Sequence, residues 1–241
     1  MLKFFQLAGL ATGITLALGT GLDAAEVTSA STAEKQIYWV FLNKGDGRTN
    51  LAKMPKEEVS IMQSNHIENL GALGKAGRGL TAGPLGDNGF IRGTVVLKLS
   101  NQAQIAECFK PDPFVQHDIL AVEAYRWLVD PSRFHEPFEP FKMVQHTLGV
   151  VKKGPAYKSP AGATDASTLL NLMPSLQAQS DSGDLAVSGA LVDAGNLLGI
   201  LLFKSAETNS VRSFIDKDPA VKSGQVLVEL HPQFMGAGVF R

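Results

Sequence analysis

The sequence predicts an α+β protein built from two tandem ferredoxin-like βαββαβ modules packed as an internal pseudo-dimer. Three observations carry that prediction. Residues 65–128 recur at 171–234 with a constant offset of 106 and no gap, so one structural unit is encoded twice. Roughly fourteen of the sixty-four paired positions are identical, several times chance, including Asn65/Asn171, Gly77/Gly183, Gly83/Gly189, Asp87/Asp193, Gly93/Gly199, Asp112-Pro113/Asp218-Pro219 and Glu123/Glu229. Strand and helix patterns follow each other in the order β-α-β-β-α-β, the split arrangement that lays two helices on one face of an antiparallel sheet. A module of about a hundred residues has a thin core, so two in tandem gain by packing against each other.

The elements follow in order. Residues 1–25 read as an export signal: Lys3 gives a positive start, Phe4 to Leu18 are mainly apolar or small, and Ala24-Ala25 offers a cleavage site. An uncleaved anchor is the alternative, although the apolar run is shorter than about 20 residues and holds Gln6, Thr12 and Thr15. Residues 26–35 are a flexible lead-in rich in Ser, Thr, Ala and Glu. Module 1 spans 36–128. Ile37 to Leu42 is a β-branched and aromatic strand ending at Asn43-Lys44-Gly45-Asp46-Gly47. Pro55, Glu57 and Glu58 suit the start of a helix that Gly77 closes. Val59, Met62, His66, Leu70 and Leu73 recur at three and four residues, which puts them on one buried stripe.

Leu80 to Gly83 is a short strand, and Pro84 to Gly89 turns the chain into a second strand from Ile91 to Leu99. Ser100 is the expected N-cap of a helix from Asn101 to Phe109, which Pro111-Asp112-Pro113 breaks before a last strand from Ile119 to Leu128. Residues 129–141, with Pro131, Pro137 and Pro140, form a stiff linker without a regular element. Module 2 covers 142–241, with helices expected near 165–182 and 206–216.

Composition excludes several classes of function. The chain carries 22 basic and 23 acidic residues, scattered rather than gathered on a stripe, and only 7% aromatic residues, which speaks against nucleic-acid binding. Apart from the amino-terminal stretch, no segment is apolar enough over sufficient length to span a bilayer. Cys108 is the only cysteine, so no internal disulfide forms, and its partner Phe214 in the repeat marks it as a small core hydrophobe. The glycines at 71, 74, 77 and 79 lack dinucleotide spacing, and Gly74-Lys75-Ala76 lacks the Ser or Thr of a phosphate loop. His117, His135, His146 and His231 show no zinc-ligand spacing and read as surface polar residues. No cofactor or metal is implied.

The sharpest candidate chemistry is His66 with Asp112. His66 points inward, and the break at Asp112 ends the second helix beside the first, so an imidazole oriented by a carboxylate would make a general base. The plain structural reading is a core histidine bonded to a backbone carbonyl. Leu172 fills the same slot in copy two, so the position itself does not require histidine, and a buried polar ring costs stability unless compensated. Asp218-Pro219 matches Asp112-Pro113, so a turn or cap explains both aspartates as well as a pocket role explains one. Gly83-Pro84, with Asp87-Asn88-Gly89, is a second candidate whose amides would line a ligand pocket; hairpin turn chemistry is its plainer explanation.

The stretch from Asn65 to Leu128 resembles the YciI-like (YCII-related) domain family, through the helix with His66, then Gly79-Leu80-Thr81-Ala82-Gly83-Pro84, Gly93-Thr94-Val95-Val96 and Pro111-Asp112-Pro113-Phe114. The resemblance implies a ferredoxin-like module that pairs as a dimeric α/β barrel, with an active site on the His and Asp that match His66 and Asp112. The tandem copies, Leu172, Ala190 opposite Pro84, and the export signal depart from the family pattern. These features together describe an exported, cofactor-free protein whose module 1 acts on a small organic molecule as a lyase or isomerase, with His66 as acid/base and Asp112 orienting it. The alternative is a non-catalytic small-molecule-binding or structural protein.

Overall fold

The computed structural model describes residues 34–135, 142–159 and 168–241. The expected signal, nearly all of the lead-in, and Pro137 and Pro140 of the linker lie outside the described residues. Module 1 contributes β1 (Gln36–Lys44), α1 (Lys56–Lys75), β2 (Gly79–Pro84), β3 (Ile91–Leu99), α2 (Gln104–Phe109), α3 (Pro113–Gln116) and β4 (Leu120–Leu128). Module 2 contributes β5 (Met143–Lys153), α4 (Thr168–Leu172), α5 (Ser175–Asp181), β6 (Leu185–Leu191), β7 (Leu197–Phe203), α6 (Thr208–Ile215), α7 (Pro219–Lys222) and β8 (Val226–Gly236).

The eight strands form one sheet in the order β2-β3-β1-β4-β6-β7-β5-β8, with all neighbours antiparallel. Each half repeats the same internal order. The halves join along two seams. At one, Trp127 and Leu128 of β4 pair with Leu191 and Ala190 of β6. At the other, Leu85 bridges Gln233, and the Gly86 N–H donates to the Pro232 carbonyl at 2.7 Å, which closes the sheet into a barrel.

Strand β1 shows why the barrel needs an apolar sequence on both faces. Ile37, Trp39 and Phe41 point into the barrel with Leu148, Val150 and Ile200 of module 2, while Tyr38, Val40 and Leu42 face the helices. A strand covered on both sides reads as a continuous apolar run rather than an alternation. Trp39 and Trp127 meet edge to face in the barrel with ring centroids 5.1 Å apart. Separate clusters under the helices complete each module's outer core, and buried Cys108 belongs to that of module 1.

Glycine at 83 and 189 is required by these seams. A Cβ on Gly83 would stand 1.8 Å from the Phe234 carbonyl oxygen, and one on Gly189 would stand 2.3 Å from that of Leu128. Both pairs are related by the offset of 106, so the repeated glycines serve strand-to-strand approach across modules. That is a different reason from the hairpin turn expected for Gly83.

Several local expectations need correction. The helix after β3 starts at Gln104, not Asn101, because the Gln104 side chain accepts the Ser100 N–H at 3.0 Å and leaves 101–103 in a turn. Ser100 therefore does not cap with its own side chain. The segment expected as one helix near 165–182 is broken between α4 and α5 at Met173-Pro174, where proline has no N–H to continue the ladder. In the linker, the Asp130 carboxylate accepts the Ser132 N–H at 2.9 Å and caps a short 3-10 turn, Pro131–Arg133, in place of the irregular chain expected there. Among the described residues no helix is long and apolar enough to cross a membrane.

Candidate functional site

Asp112 sits at the N-cap of α3, where Pro113 sets the first helical residue. Its Oδ1 accepts the Phe114 N–H at 3.0 Å, and its Oδ2 lies 2.6 Å from Nδ1 of His66 on α1. Asp112 is fully buried, and His66 is 9% exposed. The structure therefore brings the two residues together and gives Asp112 the capping role as well, one oxygen for each. With both oxygens accepting, the network assigns the ring proton to Nδ1 and leaves Nε2 as the nitrogen with a free lone pair. The Phe114 ring packs against the imidazole, centroids 5.3 Å apart, and Asn69 on the same helix donates to the Cys108 carbonyl at 3.1 Å, tying α1 to α2. The imidazole is held on two sides before any ligand arrives.

His66 lines a cavity of about 390 Å³ between α1 and the sheet, within the roughly 300–1,000 Å³ of small-molecule pockets. Gly83, Pro84 and Gly93 form part of its wall, with Leu70, Ala82 and Phe114 supplying apolar surface, and Met143 of module 2 reaching it across the seam. The Gly83 peptide is fixed from behind: Gln233 is fully buried and donates through Nε2 to the Gly83 carbonyl at 3.0 Å, while Thr94 donates to its Oε1 at 3.2 Å. Of the residues singled out from sequence, His66, Gly83 and Pro84 share one cavity, Asp112 stands directly behind the first, and Asp87, Asn88 and Gly89 lie outside its lining.

Sequence reasoning missed two arginines in the same wall. Arg48 comes from a 3-10 segment, Asp46–Lys53, which is anchored where the Gly45 N–H donates to the Ile119 carbonyl and the Gly47 N–H to the Asp118 carbonyl. Arg92 opens β3. The repeat held a signal for Arg92, whose counterpart is Leu198; Arg48 lies outside the repeated stretch and gave none. Burial, together with the like charge of Arg92, pulls the Arg48 guanidinium below its ordinary value.

Two other histidines depart from the expectation of surface polar residues. His231 on β8 places Nδ1 2.6 Å from the Asp87 carboxylate across the closing seam, and its Nε2 is buried without a partner among the described residues. His146 is 8% exposed, packs edge-on to Phe240, and is held below its usual value by burial. His117 and His135 are exposed, as expected. Among the described residues no three His, Cys, Asp or Glu side chains gather in a way that suits a metal ion.

In module 2 the equivalent space is filled. Leu172 stands at the His66 position, half-buried, and Asp218 turns its Oδ2 to the Ser175 hydroxyl and N–H while Oδ1 caps α7 through the Ala220 N–H at 2.8 Å. Leu169, Met173 and Leu176 are all fully buried, and Leu169 lies over Gly199, the counterpart of the cavity-lining Gly93.

No family model matches the sequence, and no curated protein matches it either. Solved structures do. A candidate chlorite dismutase superposes with a TM-score of 0.54 at 10% identity, covering 85% of this chain and 96% of the other. A variant of the chlorite dismutase of Candidatus Nitrospira defluvii gives 0.51 at 10% identity, covering 84% and 92%. A heme-binding protein of Thermus thermophilus gives 0.50 at 12% identity, covering 84% and 90%. At these identities the likeness concerns the fold, which is that of the ferredoxin-type dimeric α/β barrels with both modules in one chain.

Proposed function

We propose that this protein is a YciI-like barrel that moves a proton on a small organic molecule without a cofactor, using the His66–Asp112 pair in module 1. The observation that carries the reading is the 2.6 Å contact between Nδ1 of His66 and a fully buried Asp112 at the wall of a ligand-sized cavity. Nε2 of His66 takes a proton from a carbon next to a carbonyl group; the C–H pair enters the conjugated system. Asp112 keeps the ring in one tautomer and stabilises the imidazolium. Returning the proton to a different carbon completes an isomerisation. Where the neighbouring carbon bears a leaving group, the same pair expels it, and the products are an alkene and the protonated leaving group. The family assignment rests on the same residues, His66, Ala82-Gly83-Pro84 and Asp112-Pro113-Phe114.

Structural neighbours include a heme-binding protein, and an imidazole nitrogen is a suitable axial donor to heme iron. The surroundings of His66 do not fit that group. A cavity of about 390 Å³ suits a molecule of one or two rings rather than a macrocycle. The corresponding volume of module 2 is filled by leucine and methionine side chains.

Deuterium exchange tests the reading without knowledge of the physiological substrate. Wild-type protein incubated in D₂O with a panel of small lactones, keto acids and phenols should label an activated carbon of at least one compound, seen by NMR. His66→Leu, which copies module 2, should keep its circular dichroism spectrum and lose the labelling by about 10²-fold or more. Compounds that bind yet never exchange would leave the protein as a binding module.

A further inference from the structure

Arg48 and Arg92 serve no role in the proton transfer, yet both line the cavity that contains His66. Neither has a carboxylate within salt-bridge distance among the described residues. Arg92 donates through Nη1 to the Asp87 main-chain carbonyl at 2.9 Å, while the Asp87 carboxylate is occupied by His231 and by the Gly89 N–H. The charged group that acts on Arg48 is Arg92, and the two repel. Arg48, half-buried, meets only the like charge of Arg92 and no carboxylate within salt-bridge distance, an arrangement that weakens the fold. Module 2 shows that the fold does not need Arg92, since Leu198 stands at the matching position. The rest of the wall is largely apolar, including Leu42, Leu70, Phe114 and Leu120.

We propose that Arg48 and Arg92 are the anion-recognising end of this cavity and that its ligand is a small ring-bearing organic carboxylate. The carboxylate lies on the two guanidiniums through charge-assisted hydrogen bonds, the ring lies against the apolar wall, and the reactive carbon is turned to His66. The assignment rests on the proton-transfer reading for the role of His66, but the anion site is measurable by itself. A phosphate ester offers the same anionic chemistry; the carboxylate is favoured because the wall around the arginines is apolar and the cavity holds one or two rings.

Calorimetric titration of the purified protein with benzoate, 2-furoate and cyclohexene-1-carboxylate, each beside its primary amide, tests this, with phenyl phosphate and inorganic phosphate as the second arm. At least one acid should bind about tenfold more tightly than its amide, and Arg48→Gln should remove that preference. His66→Gln should keep the preference, since binding of the anion does not use the base. Arg48→Leu should melt no lower than wild type in the absence of ligand, because it removes an unpaired charge. Equal binding of acids and amides, no binding of any acid, or a fall in melting temperature in Arg48→Leu would each overturn the proposal. Tighter binding of phenyl phosphate than of every carboxylate would overturn the carboxylate class. A failure of the proton-transfer reading looks different: acids bind with the expected preference and no carbon exchanges.

Discussion

In module 1 the buried carboxylate of Asp112 gives one oxygen to the Phe114 N–H and the other to the His66 ring, whereas in module 2 Asp218 gives one to the Ala220 N–H and the other to Ser175. The cap is common to both modules; the second partner is not. Around that difference, His66, Pro84, Arg92 and Phe114 face Leu172, Ala190, Leu198 and Ala220 in the repeat, and space that is open in one module is closed by Leu169 in the other. What the modules share builds the barrel, and the residues that distinguish them line the cavity beside the shared Gly83 and Gly93. A duplicated unit can keep its partner for packing while one copy holds the polar groups, because each module's seam needs only the other's strand edge.

The strongest test of the shared part is at the seams. Gly83→Ala forces a methyl group to 1.8 Å from the Phe234 carbonyl, which only strand displacement relieves, so a loss of at least about 3 kcal/mol in urea denaturation is expected. Gly189→Ala meets the Leu128 carbonyl at 2.3 Å and should be nearly as harmful. If either alanine were tolerated, the two seams would not be equivalent, and the pseudo-twofold account of the barrel would break.

A smaller effect separates the cap from the pair. Asp112→Ala and Asp218→Ala each remove an N-cap and strand a buried donor, so each should cost about 2–3 kcal/mol. Only Asp112→Ala should also change the ¹⁵N shifts of the His66 ring, as Nδ1 loses the acceptor that fixes its tautomer. Asparagine at 112 keeps the cap oxygen, so Asp112→Asn should recover most of the stability but not the tautomer. Retention of the wild-type His66 spectrum in both variants would mean that Asp112 acts as a cap alone.

Much of this site is legible in the chain because its signals are local or repeated. The three-and-four spacing of Val59, Met62, His66, Leu70 and Leu73 places His66 inward, and Leu172 at the matching position marks it as dispensable to the fold. The Asp-Pro break announces a turn, though not that it starts another helix. Other features are hidden because their partners are distant. Gly83 reads as turn chemistry, since nothing near it in sequence reveals that Phe234 approaches from the other module. Asp87 and His231 are 144 residues apart, and register across a barrel is not written in either neighbourhood. Arg92 is visible opposite Leu198 in the repeat, whereas Arg48 sits in a short 3-10 segment that no pattern points to the cavity.

The Asp87–His231 contact gives the smallest effect and the sharpest contrast between the seams, because the matching position for His231 on β4 is Tyr125, which lacks an imidazole. Burial alone would raise the Asp87 carboxyl, but the hydrogen bonds from His231 and the Gly89 N–H, with the nearby charge of Arg92, hold it below its ordinary value. A carboxyl lowered on folding adds stability that is complete above its unfolded value of about 3.9 and disappears as pH falls through the lower folded value. Asp87→Asn should therefore lose under about 1 kcal/mol near neutral pH, since Asp87 is partly open to solvent. The gap to wild type should close as the pH falls through that range, because a protonated Asp87 resembles the variant. Melting temperatures of the two proteins, followed from neutral pH down to about pH 3, measure it. A gap that stays constant to the lowest pH would mean that the carboxylate charge contributes nothing there and that the closing seam is held by packing, backbone pairing and the neutral hydrogen bonds of Gln233.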